Sequence, residues 1–336
     1  MPINTHLRRR SIAFISATFA MLFFTLAMAS TTEPLPSWQD GKSKQAIIDF
    51  VSRVTNKDSV DFVAVNERIV TFDNDGTLWA EQPIYAQLLF AIERIHSLAS
   101  QHPEWQTKPP FSLILKGDVK AAFSSSASAV NDIVMAANTG MSDLEYQTIV
   151  AAWIATAKHP VTQKPITSMV YQPMLELLEY FRANEFKTYI VSGGGIEFIR
   201  AWSSQVYGIP PEQVIGSVMA QELATEADKT IIKRLPTMAF YNNKENKVIA
   251  INNHIGRRPL AAFGNSDGDL PMLKYVSEGD GLRLAMLIHH TDANREWAYD
   301  AKSQIGQLDK GLQQAQSQGW LIVDMKQDWK RIYPSQ

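Results

Sequence analysis

The sequence predicts an α/β fold in which a parallel sheet carries helices on both of its faces. Three short apolar runs, 69–72, 188–191 and 260–263, predict buried strands, and further strands are expected at 282–288 and 320–324. Helical patterns separate the runs, and strands that alternate with helices are typical of a parallel sheet. Polar or glycine-rich loops follow the first three strands, where open α/β sheets bind their ligands.

The composition is that of an ordinary globular protein. The chain has 336 residues, of which 45% are hydrophobic and 20% are charged. The formal net charge is −2, so no basic field favours nucleic acid as a partner. There is no cysteine, which excludes disulfides and thiolate metal sites. The length allows one large domain or one domain that carries an insertion.

The first 29 residues are expected to be a cleavable signal peptide. Three arginines at 8–10 precede an apolar stretch at 12–26, and Ala-Met-Ala at 27–29 matches a small-x-small cleavage pattern. An uncleaved membrane anchor is the alternative, because the apolar stretch is close to the lower length limit for spanning. We therefore expect a periplasmic or secreted protein without a membrane partner after cleavage.

A helical block is expected between the first and second strands, because no strand pattern occurs between residues 80 and 185. A block inserted at this point indicates a cap over the site. We assign the core to 30–80 and 185–336, and the helical cap to 81–184. The helical patterns in the block cover 84–98, 117–136, 142–157 and 173–184. Beyond the second strand, segments 214–223 and 233–241 suggest a β-hairpin, and 248–254 predicts a helix.

Two aspartates, Asp73 and Asp75, come directly after the first strand in the stretch Asp-Asn-Asp-Gly-Thr-Leu. Because side chains alternate along a strand, both carboxylates can point into one small volume. Two like charges at that distance are costly unless a cation or a shared proton relieves them. A hard cation, Mg²⁺, held by carboxylate oxygens is the economical interpretation. The alternative is a surface Asx turn, for which the same residue types are typical.

Two further motifs carry groups suited to an anion. Ser192, Gly193 and Gly194 follow the second strand and precede a predicted helix, where backbone amides can approach a phosphate closely. A helix-capping serine is the alternative. Lys247 begins the predicted helix 248–254, a position that is unfavourable for a cation unless it balances a negative charge. Other lysines that compete for this role are Lys229, Lys233 and Lys244.

A fourth, acidic loop at 264–269 reads Gly-Asn-Ser-Asp-Gly-Asp and follows the third strand. Asp267 and Asp269 add two carboxylates to those of Asp73 and Asp75. The loop alone is typical of a turn. Four carboxylates at strand ends, however, are hard to explain without a cation.

In order and spacing, the four motifs resemble those of the haloacid dehalogenase (HAD) superfamily, most of whose members are Mg²⁺-dependent phosphohydrolases. The resemblance spans residues 65 to 275. One position departs from it, since Asn265 stands where many members have the first aspartate of GDxxxD. Asp267 could replace that carboxylate, so the choice between Asp267 and Asp269 as metal ligand stays open. Trp79 and the stretch 255–259 resemble an exported bacterial subgroup that is similar to phosphoserine and phosphorylcholine phosphatases.

The resemblance implies a Rossmann-like parallel sheet with an inserted C1-type helical cap, and it implies roles for the motif residues. Asp73 would attack phosphorus to form an aspartyl-phosphate, and Asp75 would act as general acid and base. Mg²⁺ would bind Asp73, Asp75 and Asp269, with or without Asp267. The groups that would stabilise the phosphoryl oxygens are Ser192, Gly193, Gly194 and Lys247.

Substrate contacts are expected just after the first motif, where Trp79, Glu81 and Gln82 enter the cap. Trp153 and Tyr171 could form an aromatic wall for a quaternary ammonium group, and packing inside the cap is the alternative. The expected function is Mg²⁺-dependent hydrolysis of a small phosphorylated metabolite. Two alternatives are a catalytically weak binding protein of the same fold and a phosphotransferase that uses the same aspartyl-phosphate.

Overall fold

The computed structural model describes Met1 and residues 33–335. Apart from Met1, the signal peptide expected at 1–29 lies outside these residues. Within the described part, no helix is both long enough and apolar enough to cross a membrane.

A mostly parallel sheet forms the centre of the described residues and confirms the predicted α/β class. Its strands lie in the order β4-β3-β2-β1-β5-β6-β7, and β8 pairs with β6. Neighbouring strands are parallel except in the β3–β4 and β6–β7 pairs. The strands are β1 Ile69–Phe72, β2 Lys187–Gly195, β3 Val214–Glu226, β4 Lys229–Phe240, β5 Ala261–Gly264, β6 Leu284–Thr291, β7 Ala298–Tyr299 and β8 Leu321–Asp324.

Helices cover both faces of the sheet. Along β5, Ala261 and Phe263 belong to one hydrophobic cluster, whereas Ala262 belongs to another. Since successive side chains of a strand point to opposite faces, the two clusters lie on the two sides of the sheet. The described helices are α1 Lys42–Thr55, α2 Ala86–Leu98, α3 Phe111–Leu115, α4 Val119–Ser124, α5 Ala129–Asn138, α6 Asp143–Ile154, α7 Gln172–Ala183, α8 Ile196–Arg200, α9 Ser203–Tyr207, α10 Glu245–Ile255, α11 Leu270–Ser277, α12 Gly311–Gln318 and α13 Met325–Asp328.

The helical block between β1 and β2 divides its apolar side chains between two clusters. Ile95 of α2, Ile114 of α3 and Ile133 of α5 pack together in a cluster separate from the sheet. Val150 of α6 and Leu177 of α7 instead join the cluster that covers one face of the sheet. The cap boundaries at 81 and 184 stay a prediction.

The single helix predicted over 117–136 is wrong, because the structure has two helices there. Helix α4 ends at Ser124, and α5 begins at Ala129. The Ser124 hydroxyl donates to the Lys120 carbonyl at 3.0 Å, and the Ser125 hydroxyl donates to the Ala122 carbonyl at 2.8 Å. Serine side chains that bond to nearby backbone compete with helical hydrogen bonding, so a run of serines ends the helix here.

The predicted β-hairpin is confirmed, but its strands are longer than expected. They continue to a two-residue turn at Ala227 and Asp228, whose φ angles are 45° and 62°. Positive φ at both central positions is the geometry of the tight turn that suits twisted strands. Asn-Gly is the usual signal for that turn, and its absence explains why the sequence did not reveal the full hairpin.

We predict that Phe181→Ala lowers the free energy of unfolding by about 3–5 kcal/mol. Phe181 is fully buried, and its ring contacts Phe72 at 6.2 Å, Phe186 at 5.0 Å and Phe263 at 5.8 Å between centroids. Urea unfolding followed by circular dichroism measures the change. The matched control is Leu144→Ala, because Leu144 is 74% exposed and should change stability by no more than about 0.5 kcal/mol. Equal losses in the two variants would contradict the packing described.

Candidate active site

The first and fourth motifs meet at one edge of the sheet. Strands β1 and β5 are parallel neighbours, and the Asp73 backbone N–H donates to the Phe263 carbonyl at 2.9 Å. The carboxyl ends of parallel strands lie at the same edge, which is where ligands bind in open α/β sheets. The structure therefore brings Asp73 and Asp269 together, as the sequence predicts.

Lys247 joins the two aspartates. Its Nζ lies 2.7 Å from Asp73 Oδ1 and 2.5 Å from Asp269 Oδ1, and the lysine side chain is almost fully buried. Lys247 is the third residue of α10, so the helix begins slightly earlier than predicted. Of the four candidate lysines, this one reaches the acidic cluster.

The cluster holds more negative charge than one lysine balances. Burial and the charge of Asp269 raise the pKa of Asp73, Lys247 opposes the rise, and the net pKa is about 7. Burial also opposes the charge on Lys247, but Asp269 and Asp73 outweigh this effect and hold the pKa of Lys247 above its usual range. A neighbouring like charge and desolvation both disfavour an ionised carboxyl. The site is therefore short of positive charge.

Trp79 positions Asp75. Its indole Nε1 donates to Asp75 Oδ1 at 2.7 Å, and its ring stacks on Trp202 with 4.4 Å between centroids. Burial raises the pKa of Asp75, and the hydrogen bond from Trp79 works in the opposite direction. Trp79 is 1% exposed and does not line the cavity described below. The structure therefore does not place it as a substrate contact.

Gly76 allows the chain to turn sharply between the two aspartates and the following helix block. Its φ is +72°, and a Cβ at this position would overlap the side chains of Asn265 and Glu81. The Gly76 carbonyl accepts a hydrogen bond from His290 Nε2 at 2.8 Å. Positive φ and close approach of neighbours both require glycine.

The glycine-rich motif continues strand β2 through Gly195 instead of forming a loop. Helix α8 begins directly after the motif, at Ile196, as expected. Ser192 is fully buried, and its hydroxyl oxygen accepts from the Gly194 N–H at 3.0 Å. Gly193 and Gly194 line the cavity, whereas Ser192 does not. The backbone of the glycines, rather than the Ser192 side chain, forms the cavity surface.

Two residues that sequence reasoning missed hold this backbone in place. Asn242 Nδ2 donates to the Ser192 carbonyl at 2.9 Å, and the Ser217 hydroxyl donates to the Gly193 carbonyl at 2.7 Å. The Asn242 backbone N–H completes the arrangement by donating to Ser217 Oγ at 3.0 Å. Both side chains are almost fully buried. No sequence signal distinguished them, because neither belongs to a motif.

The acidic loop separates its two aspartates. Asp269 is fully buried, and its Oδ2 accepts from the backbone N–H groups of Asn265 and Ser266, both at 3.0 Å. Asp267 instead accepts from the three successive amides of Asp309, Lys310 and Gly311 at the start of α12. It does not line the cavity. The structure thus does not bring Asp267 to the place where it was expected as a metal ligand.

Asn265, the departure from the expected motif, bonds to Glu81. Its Nδ2 donates to Glu81 Oε1 at 2.8 Å, and its Oδ1 accepts from the Thr77 hydroxyl at 3.1 Å. Glu81 Oε1 also accepts from the Tyr299 hydroxyl at 2.8 Å. Burial raises the pKa of Glu81 well above its usual value. Glu81 lines the cavity, and its role as a substrate contact stays a prediction.

A cavity of about 550 Å³ opens beside these groups. Its catalytic end presents Asp73, Asp75, Glu81, Gly193, Gly194 and Lys247. The predicted aromatic wall is absent from the described part of this cavity. Tyr171 is fully buried and donates to Glu296 Oε1 at 2.9 Å, and Trp153 Nε1 donates to Glu93 Oε2 at 2.8 Å. Gln82 bonds to Ser303 Oγ and does not line the cavity either.

The donor set fits a hard cation. Among the described residues, no group of three His, Cys, Asp or Glu side chains already has the arrangement of a metal site. The carboxylates of Asp73 and Asp269 and the backbone carbonyl of Asp75 are nevertheless the oxygen donors that Mg²⁺ prefers. Burial and the neighbouring charge of Asp269 raise the pKa of Asp73, and a cation bound beside Asp73 would oppose this rise. These residues therefore suit Mg²⁺ chemically.

We predict that Asp267→Ala lowers the free energy of unfolding by about 1 kcal/mol, because it removes the acceptor for amides at the start of α12. Urea unfolding measures the change. Asp309→Ala is the control, since Asp309 contributes only its backbone N–H and should alter stability by no more than about 0.5 kcal/mol. An Asp267→Ala protein of normal stability that has lost its affinity for Mg²⁺ would contradict this role.

The sequence of the chain matches one family of known proteins. A family model described as "HAD: haloacid dehalogenase-like hydrolase" matches residues 70–274. This region is more than half of the 336 residues and contains all four motifs. A search among curated proteins finds no match.

Several solved structures are similar at low identity. A conserved protein of unknown function from Anaerococcus prevotii is 17% identical, with a TM-score of 0.48 over 74% of this chain and 85% of that one. A protein of unknown function from Bordetella pertussis is 12% identical, with a TM-score of 0.45 over 77% and 99%. A phosphoserine phosphohydrolase-like protein from Francisella tularensis is 13% identical, with a TM-score of 0.36 over 66% and 88%. On the strength of the family model, the chain belongs to the haloacid dehalogenase-like hydrolases.

Proposed function

We propose that this protein is a Mg²⁺-dependent phosphomonoesterase that acts on a small phosphorylated molecule through an aspartyl-phosphate on Asp73. The observation that carries the proposal is the buried cluster of Asp73, Asp269 and Lys247 at the end of a cavity. Gly193 and Gly194 present their backbone to the same cavity. Phosphoryl transfer requires a nucleophile, a cation and backbone groups that lie close to the bound anion.

Mg²⁺ would be held by the carboxylates of Asp73 and Asp269 and by the backbone carbonyl of Asp75. When bound, it supplies positive charge that neutralises the phosphoryl oxygens. The raised pKa of Asp73 supports this assignment. Burial and Asp269 disfavour the ionised form of Asp73, whereas a nucleophile must be ionised. An additional cation beside Asp73 would keep it in the reactive form.

Asp73 would attack phosphorus as the bond from phosphorus to the leaving oxygen breaks. Asp75 would donate a proton to that oxygen, because its raised pKa favours the protonated form. Asp75 would then take a proton from the water that attacks the aspartyl-phosphate, which releases phosphate and restores Asp73. Lys247 and the backbone at Gly193 would stabilise the charge on the phosphoryl oxygens.

Two observations argue against a protein of this fold that only binds and against a quaternary ammonium substrate. Asp73, Asp75 and Lys247 are all present and face one cavity, which argues against a retired site that only binds. Trp153 and Tyr171 form hydrogen bonds elsewhere and do not line this cavity. The structure therefore gives no support to a quaternary ammonium substrate held by these rings.

The direct test is hydrolysis of p-nitrophenyl phosphate by the chain that begins at Ser30. We expect phosphate release with Mg²⁺ and none with EDTA, because the cation completes the charge balance at Asp73. Asp73→Asn should reduce kcat/KM by at least about 10³-fold, since the amide cannot act as nucleophile. Asp309→Asn, a change at an exposed residue, is the control and should match the wild type. Activity that survives EDTA, or an Asp73→Asn variant as active as the wild type, would refute the proposal.

A second test concerns the hydrogen bond from Trp79 to Asp75. Trp79→Phe should lower kcat about tenfold and change KM little, because it removes a hydrogen bond to a catalytic carboxyl without altering the cavity wall. Trp202→Phe is a matched control, since the Trp202 indole N–H is buried and has no hydrogen-bond partner among the described residues. Equal losses of kcat in the two variants would show that ring packing matters, and not the hydrogen bond.

A further inference from the structure

One wall of the cavity is formed by helix α5 and the β3–β4 hairpin. Val130, Val134 and Asn138 are four residues apart on α5 and share one face of the helix. Met219 and Met238 of the hairpin also line this wall. The wall is therefore mainly apolar, and its two methionines can adapt to the shape of a bound molecule.

Arg234 is a fixed cation in this wall. It is 4% exposed, its Nε donates to the Asn138 carbonyl at 2.8 Å, and its Nη1 lies 2.8 Å from Asp143 Oδ1. The guanidinium also lies 4.1 Å from the centre of the Tyr146 ring. Three partners hold the guanidinium group in one position. Binding of a ligand to this group therefore costs the protein little conformational freedom. The remaining nitrogen, Nη2, has no hydrogen-bond partner among the residues that the structure describes.

Asn138 adds an unused acceptor beside the arginine. Asn138 is 1% exposed, and its Oδ1 is buried with no hydrogen-bond partner in the described part of the chain. The Nδ2 donates to the Val134 carbonyl at 2.5 Å, which identifies it as the nitrogen because a carbonyl only accepts. A buried polar atom without a partner is costly, and such atoms are often satisfied by a ligand or by water. The wall thus offers one donor and one acceptor from residues in contact with each other.

We propose that the substrate is a phosphomonoester whose alcohol has an apolar body and ends in an amide-type group, such as a carboxamide, a lactam or a ureide. The proposal rests on the phosphomonoesterase activity proposed above. The carbonyl of that group would accept from Arg234 Nη2, and its N–H would donate to Asn138 Oδ1. The apolar body would pack between Val134 of α5 and Met219 and Met238 of the hairpin.

The size and chemistry of the cavity favour this class over smaller or charged alcohols. About 550 Å³ is within the range of sites for drug-sized ligands, and a phosphoryl group alone would leave most of it empty. A terminal carboxylate would satisfy Arg234 but would face the unpaired oxygen of Asn138. A terminal ammonium would satisfy Asn138 but would be repelled by Arg234. Only a group that carries both an acceptor and a donor suits both residues.

The test uses three series of linear alkyl phosphates that lengthen by one methylene at a time and end in a methyl, a carboxamide or a carboxylate. For each length, kcat/KM is measured with Mg²⁺ for the carboxamide and for the methyl compound. The ratio of the two values gives the preference for carboxamide over methyl. The enzymes are the wild type, Arg234→Met, Asn138→Leu and Lys233→Met. Lys233→Met is the control, because Lys233 is the neighbour of Arg234 on the same strand, pairs with Glu226 and does not line the cavity.

At one chain length, the wild type should prefer the carboxamide to both the methyl and the carboxylate. That preference should fall by at least about tenfold in Arg234→Met and in Asn138→Leu, and Lys233→Met should retain it. The inference is overturned if the wild type shows no such preference at any length, if it prefers the carboxylate, or if the control loses the preference equally.

Calorimetric binding of the corresponding phosphonates, which cannot be hydrolysed, provides the same comparison without turnover. If no phosphate ester is hydrolysed, the proposed function fails, and the binding preference then decides only whether Arg234 and Asn138 recognise the amide-type group. If hydrolysis occurs but the binding preference is absent in the wild type, the inference alone fails.

Discussion

The site depends on one electrostatic constraint, which is the burial of several carboxylates around a single ammonium group. Asp73 and Asp269 are almost fully removed from water, and Lys247 bridges them. Breaking a buried ion pair by removing one partner typically costs about 3–5 kcal/mol, because the other charge is left uncompensated. The cluster therefore restricts which residues the neighbouring elements can carry. A hard cation bound beside it would stabilise its negative charge.

Much of the surrounding structure supports this cluster. The order β2-β1-β5 brings three loops to one edge of the sheet, and Gly76 lets the chain turn there without overlapping Asn265 or Glu81. Asn242 and Ser217 hold the glycine-rich backbone from the side of the hairpin. Asn265 itself is bonded to Thr77 and Glu81, so the residue that departs from the common family motif has partners within the site.

The sequence predicted the α/β class and the meeting of Asp73, Asp75, Asp269 and Lys247, because both follow from local patterns. Buried strands are apolar runs, and the ends of parallel strands share one edge. The sequence could not separate Asp267 from Asp269, since that choice depends on where α12 begins more than forty residues later. It could not reveal Arg234 or Asn242 either, because their partners belong to distant parts of the chain. Residues outside local motifs acquire their roles only through tertiary contacts.

The proposed mechanism requires that Asp73 carries the phosphoryl group during turnover. The most direct measurement is rapid acid quench of the wild-type enzyme during hydrolysis of a phosphate ester, followed by borohydride reduction and peptide mass spectrometry. Reduction of an acyl phosphate converts an aspartate into homoserine. We therefore expect that mass change at position 73, and only in the presence of substrate. An unmodified position 73 together with phosphate trapped on another residue, such as Ser192, would contradict it.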